Sequence, residues 1–235
     1  MYAPDRFRFT READLWSVVT EYPFATLCVT AGPDLEIAHL PLAPDGPPGG
    51  PRRLLGHLAR RNPVHRLVDR PGVRAVAVFT GPHGYLSPTD YATDDNLPTW
   101  NYVAVHVSGE LRLLPDEQRH DQLARVAALG ERHRGRAEPG SPPWGLARAP
   151  ARLVADLLPH IFFFILDVER TEGVFKLSQG RATADLDAQV SALRARGVPS
   201  AARLADLMAA HRPTGPDHAG QPDGATGPAA TGSER

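Results

Sequence analysis

The stretch Tyr102 to Leu114 places Val103, Val105 and Val107 on one face and Ala104, His106 and Ser108 on the other. That period of two reads as a strand of a barrel or sandwich with one buried side. Further β-rich runs are Phe24 to Thr30, Leu35 to Leu40, Arg53 to His57 and Val73 to Thr80, separated by Gly and Pro. Many short strands with such punctuation favour a barrel, mainly β with flanking helices.

Helices fill the gaps. Thr10 is an N-cap candidate for a helix through Val19 that ends before Pro23. Asn62 to Asp69 reads as a short helix with Pro63 in its first turn, Asp116 to His133 as a longer one, and Arg134 to Pro143 as a loop. A helix from Arg152 to Leu158 leads into a strand from Ile161 to Val168, and a turn at Glu172-Gly173 leads to Val174 to Gln179. From Asp185 the texture becomes helix, turn, helix. The expected organisation is a barrel domain over 1–182, a helical hairpin packed on it over 183–211 and a disordered tail over 212–235, poor in large apolar residues.

Composition then excludes several classes. A net charge of −1 over 235 residues argues against a strongly basic nucleic-acid or membrane-surface protein. The single cysteine, Cys28, rules out an internal disulfide, a four-cysteine zinc site and a CxxC pair, and sits as a small core residue in ATLCVT. The most apolar run, Ile161 to Leu166, is too short to span a bilayer, and the start MYAPDRFRFTREADLW does not read as a signal peptide. A soluble, cytoplasmic chain is expected. Only one lysine, Lys176, stands against 25 arginines. Where arginine has filled every other basic position, a surviving lysine points to a site that a planar fork does not fit.

Four segments mix polar side chains with Gly or Pro at strand ends, as pocket loops on a rigid scaffold do. They are GHLARRNP (56–63), FTGPHGYLSPTDY (79–91), PTWNY (98–102) and FKLSQGR (175–181). Arg60, Arg61 and the helix start near Asn62 suit a phosphate or carboxylate, or are simply solvated. Of the ten histidines, His120, His133, His211 and His218 fall on exposed helix or tail, while His39 and His106 alternate with apolar strand residues.

Taken together, and in the same order, the segments resemble the PaiB family of FMN-binding negative transcriptional regulators. The resemblance runs from the MYAP start to about Arg181. It implies a split β-barrel of the pyridoxamine-phosphate-oxidase type, a homodimer and cofactor pockets at the subunit interface. Through these motifs it marks His57, Arg60, Arg61, Asn62, His65, Trp100, Asn101, Lys176 and Gln179 as cofactor-binding.

Departures from the family pattern point further. Val64-His65 replaces a usual Gln-Trp, Ser87 to Tyr91 (SPTDY) departs from SPxWY, and Gly180 replaces the Asn of KLSQN. A subgroup with a histidine in the helix after NP is the piperazate synthases, haem proteins that close N5-hydroxy-L-ornithine to L-piperazic acid by an N–N bond. Similarity to that subgroup implies haem b in place of FMN, with His65 as the metal ligand. The alternative for His65 is to cap its helix or contact Asp69. Under this resemblance Lys176, Tyr91 and His83 are the catalytic candidates, with Tyr85 and Asp90 as further proton acceptors. His57 and His83 would contact a propionate or substrate group. Iron would polarise the N–O bond as a Lewis acid and the α-amine would close the ring without net redox change.

The rival expectation is an FMN- or haem-binding regulator. Its DNA contacts would be Arg194, Arg196 and Arg203 on a helix-turn-helix, but Leu193, Leu204, Leu207 and Met208 equally suit a packing hairpin, and Asp185, Asp187 and Asp206 dilute the charge. A small amino-acid substrate, no membrane and no DNA are the expected partners.

Overall fold

A computed structural model describes residues 1–46, 52–68 and 70–212. The expectation of a disordered tail falls almost wholly on 213–235, outside the described residues, as does the contact of His65 with Asp69. In chain order the elements are β1 (Arg8–Phe9), α1 (Glu12–Glu21), β2 (Phe24–Ala31), β3 (Asp34–Pro41), β4 (Ala43–Asp45), β5 (Arg53–Ala59), α2 (His65–Val68), β6 (Arg74–Leu86) and β7 (Thr99–Leu113). There follow α3 (Arg119–Ala137), α4 (Ala151–Leu157), β8 (Ile161–Lys176), α5 (Thr183–Ala195) and α6 (Pro199–Ala210). The strands form one sheet in the order β3-β2-β6-β7-β8-β5-β4, with β1 paired to β8 at Arg8↔Val174.

By contacts the chain divides into two units. One holds Met1–Pro4, Arg8–Gly81 and Val103–Phe175; the other holds Asp5–Phe7, Pro82–Tyr102 and the chain from Lys176.

In the first unit the run Ile161 to Leu166 is buried residue by residue because both faces of β8 are covered. Ile161, Phe163 and Ile165 pack with Ala43, Leu55 and Leu129, so α3 lies over that face. Phe162, Phe164 and Leu166 fill the other. Gly56 is part of this packing: a Cβ there would stand 2.5 Å from Phe164 Cζ and 2.7 Å from Leu42 Cδ2.

The turn expected at Glu172-Gly173 is absent. β8 runs extended through both residues, and Gly173 serves close approach instead, since a Cβ there would meet Leu15 Cδ2 at 2.2 Å. Sequence alone cannot tell a glycine that turns the chain from one that admits a neighbour. Thr10 likewise is no cap: α1 starts at Glu12, Arg11 precedes it without a side-chain cap, and the Arg11 guanidinium instead holds the Asp14 carboxylate at 2.7 Å. A single 3-10 turn, Asp116–Gln118, opens the segment expected to be helical from Asp116.

In the second unit α5 and α6 pack together across a turn at Gly197, which takes φ 67°. Leu193, Leu204, Ala205 and Met208 are fully buried. Gly84 receives Leu193 and Leu204, with Leu204 Cδ2 3.1 Å from where its Cβ would be. The buried Asp185 carboxylate accepts from Ala92 N (3.0 Å), Thr93 N (3.1 Å) and Thr93 Oγ1 (3.1 Å), so the first turn of α5 ties down the segment after Tyr91. Among the described residues no helix is long and apolar enough to cross a membrane.

Candidate functional site

Within the first unit, β5 delivers His57, the turn after it delivers Arg60 and Asn62, and α2 delivers His65. Asn62 rather than His65 caps this turn: its Oδ1 accepts from Val64 N at 3.0 Å and its carbonyl from His65 N at 3.0 Å. These bonds use up the first turn, so α2 starts at His65 and not at Asn62. Val64, Leu67 and Val68 are buried, which anchors the short helix and leaves the His65 ring half-buried.

The His65 ring meets Phe162 edge-on, with centroids 4.8 Å apart, and its Nε2 lies 3.4 Å from Arg60 Nη1. Arg60 donates at the same time to Asp116 Oδ1 at 2.6 Å. Arg61 is exposed. His57 is placed differently. It pairs with Phe163 across the β5–β8 ladder, its ring centroid is 5.5 Å from that ring, and burial pushes its pKa down. Because Phe162 and Phe163 point to opposite faces of β8, His57 and His65 do not share a face. The His57 Nδ1 is buried without a hydrogen-bond partner among the described residues.

Within the second unit the end of β7 separates two sets of side chains. Thr99 and Asn101 alternate with Trp100 and Tyr102, so they face opposite ways. On one side Lys176 Nζ donates to Thr99 Oγ1 at 2.6 Å, and Asn101 Nδ2 donates to Ser178 Oγ at 2.8 Å. On the other, Trp100 is 55% exposed, with the His83 ring 6.2 Å away and the Tyr85 ring 6.1 Å away, centroid to centroid. An exposed run of aromatic rings on adjacent strand ends is a surface that usually serves binding.

Gln179 folds back on its own turn, where its Oε1 accepts from Leu177 N at 2.7 Å. Tyr91 is buried, donates to the Leu97 carbonyl at 3.4 Å and lies under the Arg181 guanidinium, 5.6 Å from ring centroid to Cζ. Burial pushes its phenol pKa up, with Arg181 opposing the shift, so the hydroxyl keeps its proton at neutral pH.

The structure therefore brings His65 together with Arg60, Lys176 with Thr99, and Trp100 with His83. Sequence reasoning passed over Thr99, Ser178 and Asp116. The alternation that paired Val103 with Val105 would have paired Thr99 with Asn101 as well, so that signal was present; for Asp116, 56 residues from Arg60, there was none. Among the described residues no three or more His, Cys, Asp or Glu side chains cluster as a metal site.

One sheet of eight strands with flanking helices defines a split β-barrel. A sequence profile described as "Putative FMN-binding domain" matches residues 1–170, and the chain belongs to that family. The protease synthase and sporulation protein PAI 2 of Bacillus subtilis (strain 168) is 30% identical over 208 residues, which span 88% of this chain and 96% of the relative. Among solved structures, the FAD and heme binding protein from Mycobacterium smegmatis superposes with a TM-score of 0.52 at 15% identity, over 72% of this chain and 73% of that one. A conserved hypothetical protein from Mycobacterium tuberculosis gives 0.50 at 15% identity, over 75% and 91%. At such identity these two likenesses concern the fold alone.

Proposed function

We propose that this chain is an FMN-binding, PaiB-like protein that seats the flat ring system of its cofactor on the His83, Tyr85 and Trp100 surface. That half-exposed set of rings is the observation that carries the reading, because a planar heteroaromatic gains both burial and stacking there. Lys176 would meet the phosphate. It lies on the opposite side of β7, but β7 begins at Thr99, so a ligand lying across the strand end reaches both sides. FMN, when bound, supplies a redox-active ring. The residues of this chain orient that ring and hold its anionic end. A cytoplasmic homodimer completes the reading, and a solution mass of two chains is expected by sedimentation.

Reading of DNA by α5 and α6 does not belong to this proposal. Arg194 is paired with Asp206 at 2.9 Å and Arg196 with Asp90 at 2.6 Å, so cations such a role needs are already engaged.

A second reading is favoured by one observation, the half-buried His65 imidazole with Nε2 turned toward a guanidinium. A ring nitrogen beside Arg60 suits haem b, with the imidazole for iron and Arg60 and Arg61 for propionates. Haem, when bound, supplies Lewis-acid chemistry that turns the hydroxyl of an N-hydroxylated amine into a better leaving group. The function would then be piperazate synthase, with N5-hydroxy-L-ornithine as substrate.

The visible spectrum of the purified protein separates the two. A flavin spectrum that survives His65→Ala and is lost in Trp100→Ala supports the first reading. A Soret band lost in His65→Ala, with a product one water lighter than N5-hydroxyornithine by mass, overturns it in favour of the second.

A further inference from the structure

Asn101 invites the reading of a cofactor contact, yet it is completely buried and touches solvent nowhere. Its Nδ2 donates to Ser178 Oγ at 2.8 Å and reaches Met208 Sδ at 3.5 Å, while its Oδ1 has no hydrogen-bond partner among the described residues. Ser178 is equally unusual. It is the one non-glycine residue at positive φ among the described residues, at 65°. A serine pays for that backbone with strain, so the surrounding bonds must hold it there.

Those bonds form a ladder. Thr99 Oγ1 accepts from the Lys176 ammonium, and two residues along each segment Asn101 Nδ2 donates to the Ser178 hydroxyl oxygen. Just beyond, Ser178 O accepts from Arg181 N at 3.2 Å, and Gln179 Oε1 accepts from Leu177 N at 2.7 Å. The chain that leaves β8 is thus locked on both sides of Leu177. Lys176 has a flexible four-carbon stem, and only a fixed backbone and a fixed partner give its ammonium one position.

We propose that Asn101 and Ser178 are positioning residues for Lys176: they touch no cofactor, and the buried amide holds the left-handed serine so that the lysine is presented rigidly. The proposal rests on the reading of Lys176 as the contact for an anionic ligand. Its test does not need that reading to hold. Because Lys176 is the only lysine of the chain, isotopic labelling with [13C,15N]lysine gives the signals of that one side chain alone.

In the wild type the two Hε protons are expected to be inequivalent, the mark of a fixed side chain. Ser178→Gly tolerates the positive φ but removes the hydroxyl. It should merge the two Hε shifts although Thr99 is intact, as Thr99→Val does directly. Asn101→Ser, a milder change than Asn101→Ala, should do the same if the larger truncation unfolds the protein. Inequivalence retained in folded Ser178→Gly and Asn101→Ser overturns the proposal.

Titration with FMN is the second arm. Lys176→Ala and Ser178→Gly should each weaken binding about tenfold, and the double variant no more than either, because the two act through one contact. Additive losses would show that Ser178 acts elsewhere, and overturn it. An unchanged FMN affinity in Lys176→Ala removes the phosphate reading of the lysine and leaves the NMR arm to decide the positioning role.

Discussion

The His65 segment and the Lys176 segment present their functional side chains by opposite physical means. His65 stands on a single helical turn anchored from below by Val64, Leu67 and Val68, and its polar neighbours, Arg60 and Asp116, are partly open to solvent. Lys176 stands at the end of a 16-residue strand, where its ammonium donates to Thr99 and the chain just beyond is held at Ser178 by a fully buried hydrogen bond. The first is held by burial, which is tolerant of direction; the second by donors and acceptors, which are not. The His65 segment should therefore fail when apolar volume is lost, the Lys176 segment when a single polar atom is.

Mutations can break this contrast in order of size. Leu67→Ala should be the most damaging, at about 3 kcal/mol, since it empties a packed site under the helix that carries His65; urea denaturation checks it. If the loss is below about 1 kcal/mol, burial is not what holds that helix. Asn101→Ala should cost about 2 kcal/mol by leaving the buried Ser178 side without its partner, with a lower midpoint and an unchanged slope in the same assay. Asn62→Ala removes the side-chain acceptor of Val64 N and should cost about 1 kcal/mol.

Arg60→Gln breaks a partly exposed ion pair with Asp116 and should change stability by no more than about 0.5 kcal/mol. A larger effect would mean that the polar neighbours of His65 share the anchoring with its apolar underside. The pH dependence gives the smallest signal. His57 is half-buried and its pKa lies below the usual value, so the unfolded chain takes up a proton that the folded one resists. Stability should be complete above the ordinary histidine pKa and fall as pH drops through it toward the lowered folded value. His57→Gln should flatten that fall without abolishing it, because burial lowers the pKa of His106 in the same direction.

Much of the architecture was legible from residue patterns. The alternation over Val103, Val105 and Val107 became β7, and the apolar run at Ile161 became the strand buried on both faces. Glycines show what such patterns miss. Gly173 looks like a turn residue in the sequence but admits Leu15 in the structure, and Gly56, inside the run Arg53 to His57, admits Phe164; steric approach leaves no local signature. For the candidate site, motif membership singled out segments without saying which side each residue faces. His57 and His65 fall on opposite faces of β8, and Trp100 and Asn101 on opposite sides of β7.

The sequence by itself determined the family, the strand-rich class and the singularity of Lys176, because those follow from composition, periodicity and motif order along the chain. Only the tertiary structure decided that Asn101 is interior, that Ser178 bears the left-handed backbone and that Thr99 holds the lysine. Each of these contacts joins residues 77 positions apart, and a hydrogen bond at that separation depends on strand register, which local sequence does not encode.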